Sequence, residues 1–285
     1  MHIPQSTYRL QFHPGFPFSA AEEIADYFRD LGVTHIYASP ITAAQPGSEH
    51  GYDQIDPCRI NPELGGEEGF DRLQRLCVET GLGWIQDIVP NHMAYSAKNP
   101  RLADVLEKGA QSRFAEYFHV RWHHPHPALS GRLAAPFLGA PYGECLETGD
   151  LVLEFRQGRF FLRYFDVRLP LCEESYPFVL ERALERLRLD SPETSAELEQ
   201  ALLICRGVLS GGAERAASVL RRLYGEDAAF RGWLNDFLER ANTAPRSGYW
   251  IRFLDRLARR QHFAPVHWEM AGKEINYRRF FSIND

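Results

Sequence analysis

The feature that most constrains the fold is an alternation in the first ninety residues, where three short apolar runs of strand length are separated by two stretches of helical periodicity. The first run is Thr7 to Phe12. Ser19-Ala20-Ala21-Glu22 then has the form of a capping box, opening a helix with Ile24, Phe28 and Leu31 on one face and Gly32 as its stop. A second run, His35 to Ala38, leads into a loop rich in Gly, Pro and Ser. The next helix is expected from Glu67 to Thr80, with Phe70, Leu73, Leu76 and Cys77 inward and Gly81 as its C-terminal signal. The third run, Trp84 to Val89, ends at Pro90-Asn91-His92. A βαβαβ order predicts parallel pairing, because parallel neighbours need a crossover of about a dozen residues or more. The expected fold class is α/β.

In such sheets, and in β/α barrels, ligands bind beyond the carboxyl ends of the strands. Polar residues gather there: Gln11 and His13 after the first run, Ser48-Glu49-His50-Gly51-Tyr52-Asp53 after the second, and Asp87 to His92 at the third. Three loops should therefore meet on one rim. The 38 acidic residues outnumber 32 basic ones, so no strong positive field attracts a polyanion, and neither nucleic acid nor an anionic membrane is an expected partner. Cys58, Cys77, Cys145, Cys172 and Cys205 lie far apart without a C-x-x-C pair, which argues for reduced thiols over a thiolate zinc site or a disulfide framework. Met1 to Arg9 lacks the form of a leader, and no stretch approaches the ~20 apolar residues of a membrane span. A cytoplasmic location is expected.

Asp87-x-x-x-Asn91-His92 at the end of a third strand resembles the first signature of the α-amylase superfamily of retaining glycosidases and transglycosidases. His50-Gly51-Tyr52-Asp53 and Tyr8-Arg9-Leu10-Gln11-Phe12 stand in the matching order and spacing. Within the superfamily the chain is most similar to the maltooligosyltrehalose synthase family, through Pro141-Tyr142-Gly143-Glu144, Gly158-Arg159-Phe160-Phe161, Arg163-Tyr164 and the run Glu274 to Phe281. The resemblance implies the N-terminal part of a (β/α)8 TIM barrel. Residues 1–92 would be its first three βα units, 93–262 a large, mainly helical inserted domain containing a β-hairpin, and 263–285 the return to the barrel before strand 4.

The implied activity is an intramolecular transglucosylation that converts the reducing-end α-1,4 linkage of a maltooligosaccharide to α,α-1,1, an isomerisation serving trehalose biosynthesis. Retention needs two carboxyl groups about 5 Å apart, one nucleophile and one acid/base. The family carries these on its fourth and fifth strands, and this sequence stops at Asn284-Asp285. Both groups are expected downstream of Asp285, and the 285-residue chain is expected to be inactive alone.

The resemblance implies substrate contacts at Gln11, His50, Tyr52, Asp53, Asn91 and His92. Tyr52 offers an aromatic face to a glucosyl ring, and the His92 imidazole can donate to a sugar hydroxyl. Asp87 is expected to support catalysis by orienting the arginine beside the nucleophile, and to be left partly unpaired here. No cofactor is expected. No metal is expected either: Asn91 offers one oxygen where calcium takes six to eight, and Pro125 and Pro127 break any helix that would align His119, His123, His124 and His126.

In the inserted region, Leu151–Phe155 and Arg159–Tyr164 alternate around Gln157-Gly158, a hairpin signal. Val219, Leu220 and Leu223, then Phe230, Trp233, Leu234, Phe237 and Leu238, mark amphipathic helices. Trp122, Tyr95, Phe137 and Tyr142 are better explained as core packing than as sugar platforms. Two alternatives stand beside the synthase. One is another superfamily hydrolase or transglucosidase. The other is a non-catalytic sugar-binding module derived from a truncated barrel, whose exposed sheet edge would be covered by the remainder of a barrel or by self-association.

Overall fold

The computed structural model describes residues 3–88, 93–96, 98–209, 212–243, 246–272 and 276. They fall into two units that divide after Pro100.

In the first unit, β1 (Thr7–Leu10) precedes two short helices, α1 (Phe18–Glu23) and α2 (Ala25–Asp30). Then come β2 (His35–Ala38), the antiparallel pair β3 (Thr42–Ala44) and β4 (Gln54–Ile60), α3 (Gly66–Thr80) and β5 (Gly83–Gln86). β1, β2 and β5 form a parallel sheet in that order, with Thr7 opposite His35 and His35 opposite Gly83. The outer strands are shorter than the apolar runs. Past Leu10, the Phe12 amide leaves the ladder to donate to Ser39 Oγ at 2.8 Å, and Val89 lies outside the described residues.

The expected single helix after β1 is two helices, broken at Ile24 (φ −110°, ψ 13°). Its capping box does not form. The helix starts one residue before Ser19, with Pro17 as its cap and no side-chain capping bond. Nor do Ile24, Phe28 and Leu31 share a buried face: Ile24 and Leu31 are 38% and 54% exposed, and Ala21, Ala25 and Phe28 point inward instead. Helix α3 keeps Leu73 and Cys77 buried and stops at Gly81 in the left-handed region (φ 75°), where Leu82 N donates to Cys77 O at 2.8 Å. Phe12, Phe18 and Phe28 join Leu10, Ile36 and Leu73 in one core between the helices and the sheet. Each buried phenylalanine contributes about 1.5–3 kcal/mol.

The second unit contains α4 (Pro100–Lys108), β6 (Leu133–Leu138), α5 (Tyr142–Thr148), β7 (Leu151–Arg156), β8 (Arg159–Tyr164) and β9 (Val167–Pro170). It continues with α6 (Tyr176–Asp190), α7 (Pro192–Cys205), α8 (Gly212–Glu226), α9 (Ala228–Asn242), α10 (Gly248–Ala258) and β10 (Phe263–His267). β7, β8 and β9 make an antiparallel sheet, and β10 pairs in parallel with β6. The β7–β8 turn places Gln157 and Gly158 at φ 51° and 81°, the two positive angles that match the twist of a tight hairpin. Leu220, Leu223, Phe230, Leu234 and Phe237 are buried on α8 and α9, as their spacing requires. Arg246, 6% exposed, donates to the carbonyls of Ala241, Leu146 and Leu151 at 2.9, 2.7 and 2.5 Å. Among the described residues no helix is long and apolar enough to cross a membrane.

Candidate functional site

Because β1, β2 and β5 pair side by side, the positions just beyond their carboxyl ends are neighbours. Arg9, next to last in β1, reaches across to Asp87, the first residue past β5. Its Nη1 lies 3.3 Å from Asp87 Oδ2, and its Nη2 donates to the Tyr52 hydroxyl at 3.1 Å. The Tyr52 hydroxyl donates to the same Asp87 oxygen. The guanidinium also sits 4.7 Å from the centre of the Tyr37 ring on β2. The backbone fixes Asp87: its amide donates to Ala38 O at 2.9 Å, and Gln86 Nε2 donates to its carbonyl at 2.7 Å and to Ser39 O at 2.9 Å.

The 48–53 loop, expected directly after the second strand, joins β3 to β4 and is anchored by Gln11 just past β1. Gln11 Nε2 donates to the carbonyls of Glu49 and His50 at 3.3 and 3.2 Å. Ser48 Oγ accepts from Gly51 N at 3.1 Å and donates to Asp53. His50 Nδ1 accepts from Tyr52 N at 3.0 Å, and the two rings lie nearly parallel, 6.1 Å apart. Gly51 permits this turn: it holds φ +74°, and a Cβ there would stand 2.5 Å from Pro40 O. Gly51→Ala is expected to cost about 1–3 kcal/mol through left-handed strain and this clash, read as a lower urea midpoint.

Gln11, His50, Tyr52, Asp53 and Asp87 thus come together, while Asn91 and His92 lie outside the described residues. The expectation that Asp87 is left partly unpaired is corrected, because Arg9 and Tyr52 both occupy its Oδ2. Arg9 joins the site in addition to the residues that the resemblance implies. Its signal in the sequence is that it is the lone charge within the first apolar run. Asp53 and Asp87 both accept hydrogen bonds from neighbouring side chains, so the two carboxylates are held in place within the cluster.

The Tyr52 phenol is pushed above its usual value of 10.0, first by its hydrogen bond to Asp87 and then by burial. The protonated form is therefore favoured by folding. Its contribution to stability is fully present below the unfolded value and is lost as pH rises through the raised one. The gap in melting temperature between wild type and Tyr52→Phe is expected to hold at neutral pH and to close above pH 10.

Elsewhere, His124 Nδ1 accepts from His126 N at 3.1 Å and His126 Nδ1 from Ala128 N at 3.2 Å, so both rings serve local turns. Tyr142 is half-buried and donates to Asp255 at 3.3 Å. None of the five cysteines forms a disulfide.

Comparison with known proteins gives a consistent picture. A putative maltooligosyl trehalose synthase of Mycobacterium tuberculosis is 40% identical over 168 residues, covering 54% of this chain and 21% of that protein. The structure of a hypothetical maltooligosyl trehalose synthase from Sulfolobus tokodaii superposes with a TM-score of 0.61 at 30% identity, over 100% of this chain and 27% of its own. That of maltooligosyltrehalose synthase from Arthrobacter ramosus gives 0.62 at 27% identity, over 99% and 26%. The chain spans about a fifth of the length of the Mycobacterium relative. Residues 22–182, more than half of the chain, match the family described as alpha amylase, catalytic domain. The fold is accordingly of the α/β amylase type, and the chain belongs to the α-amylase family.

Proposed function

We propose that this chain forms the first three βα units of a (β/α)8 barrel together with the domain inserted after the third strand. In the whole protein its strand-end cluster would line the donor-sugar subsite of a maltooligosyltrehalose synthase. The observation that carries this reading is the meeting of Gln11, the 48–53 loop and Asp87 at the carboxyl ends of three parallel strands, with Tyr52 pinned at its hydroxyl by Arg9 and Asp87. A phenol fixed at one end presents a rigid ring for a glucosyl face at little entropic cost. Imidazole and amide groups beside it suit sugar hydroxyls.

The reaction assigned to the whole protein is the intramolecular transfer of a glucosyl bond from α-1,4 to α,α-1,1. The nucleophile and acid/base are assigned to sequence beyond Asp285, and Asp87 acts by positioning. The test is to incubate this chain, and in parallel a longer protein containing the following strands, with maltopentaose, recording loss of reducing ends and release of glucose. Only the longer protein should remove reducing ends, with little glucose released. Turnover by the 285-residue chain would overturn the placement of the carboxylates. Glucose as the main product of the longer protein would indicate a hydrolase.

A further inference from the structure

Beyond β9 the second unit runs through Cys172 into a single 3-10 turn, Glu173–Ser175, and packs against the turn between α10 and β10. Cys172 N donates to Gln261 Oε1 at 2.8 Å, Cys172 Sγ donates to Arg260 O at 3.4 Å, and Gln261 Nε2 donates to Leu257 O at 2.7 Å. These bonds lock together two segments 89 positions apart. On that frame Cys172 Sγ, a carboxylate oxygen of Glu174 and an imidazole nitrogen of His262 lie within 4.8 Å of one another. The His262 ring is closely walled, since a Cβ on Gly109, itself at φ +59°, would stand 2.7 Å from it.

Tetrahedral zinc with thiolate, imidazole and carboxylate ligands sets its donor atoms about 3.3–3.8 Å apart. Cys172 is buried and held, His262 is half-buried, and Glu174 is exposed and can close the remaining distance. Glu174 borders a cavity of about 430 Å³ also lined by Glu107, Glu173 and Glu214, against Arg159 and Lys108. Among the described residues, Glu173 Oε2 is buried there without a hydrogen-bond partner.

We propose that Cys172, Glu174 and His262 bind one divalent transition-metal ion, zinc by ligand chemistry, with water as the fourth ligand. Thiolate and imidazole select zinc over calcium or magnesium, which take oxygen ligands. On coordination the Cys172 S–H bond breaks, a sulfur–metal bond forms, and the proton leaves to solvent. The ion would tie the end of β9 to the start of β10. No short spacing pattern announces it, because its ligands come from positions 172, 174 and 262.

The test is to treat the whole 285-residue chain with a chelator and titrate it with Co²⁺. A thiolate-to-cobalt charge-transfer band that saturates at one equivalent, and that Zn²⁺ abolishes, is expected. Cys172→Ser should lose the band. Glu174→Gln, at an exposed position that leaves the fold undisturbed, should weaken Co²⁺ binding about tenfold or more, the scale on which even supporting residues of metal sites act. Cys58→Ser should leave the band unchanged. No band in the wild type, a band retained in Cys172→Ser, unaltered affinity in Glu174→Gln, or loss of the band in Cys58→Ser would each overturn the proposal.

Discussion

A Gly158→Ala chain is expected to be destabilised by about 2–5 kcal/mol, the sum of placing alanine at a left-handed φ and overpacking a tight contact. Gly158 sits at φ +81° in the β7–β8 turn, and a Cβ there would lie well inside contact distance of the Ala217 carbonyl on α8. That neighbour is backbone, so it cannot rotate aside, and either the hairpin or the helix must move. The neighbouring Gln157→Gly separates conformation from space. Gln157 also holds a positive φ, 51°, so glycine relieves strain in the fold while adding freedom to the unfolded chain, and the two effects should cancel to within about 0.5 kcal/mol. Urea unfolding of both variants checks the pair. A Gly158→Ala midpoint as little changed as that of Gln157→Gly would show that the hairpin tip does not rest on α8.

Removal of the Arg246 guanidinium is the second large effect. Its three bonds bring together the carbonyls of Ala241, Leu146 and Leu151, drawn from the end of α9, the end of α5 and the start of β7. Burial lowers the guanidinium pKa, with the Asp150 charge opposing, so the aligned carbonyl dipoles carry much of the work of holding this cation inside the protein. Arg246→Met is expected to cost about 3–5 kcal/mol, because it strands several buried acceptors at once. That is a large share of the roughly 5–15 kcal/mol by which a domain is stable. Arg246→Lys, with donors on a single nitrogen, should fall between wild type and Arg246→Met, and thermal unfolding monitored by circular dichroism ranks the three.

The parts of this molecule that sequence reveals are those set by neighbours along the chain. β2 spans His35–Ala38 as its apolar run does, α3 ends where Gly81 can turn left-handed, and Gln157-Gly158 makes the hairpin its composition demands. Where several local solutions compete, the pattern is less informative. Ile24 breaks a helix whose periodicity runs through it, and the Gly/Pro/Ser-rich stretch after β2 holds an antiparallel pair, β3 and β4. The site divides in the same way. The strand-end positions of Gln11 and Asp87 follow from the βαβ order, whereas Tyr52 reaches them from the β3–β4 loop and the partner of Asp87 depends on pairing register across the sheet, which brings Arg9 within reach. Cys172, Glu174 and His262 lie further still from any linear pattern, since their meeting depends on how the turn after α10 packs.

The Arg9–Asp87 bond joins residues 78 positions apart, and Tyr52 bonds both from a third place in the sequence. No single βα unit contains two of these groups. Their contact must therefore wait until β1, β2 and β5 have all docked in register, and entropy lost in closing so long a chain segment delays it further. The triad is therefore expected to form late in assembly, so that Tyr52→Phe should speed unfolding more than it slows folding, read from the two arms of a stopped-flow urea chevron.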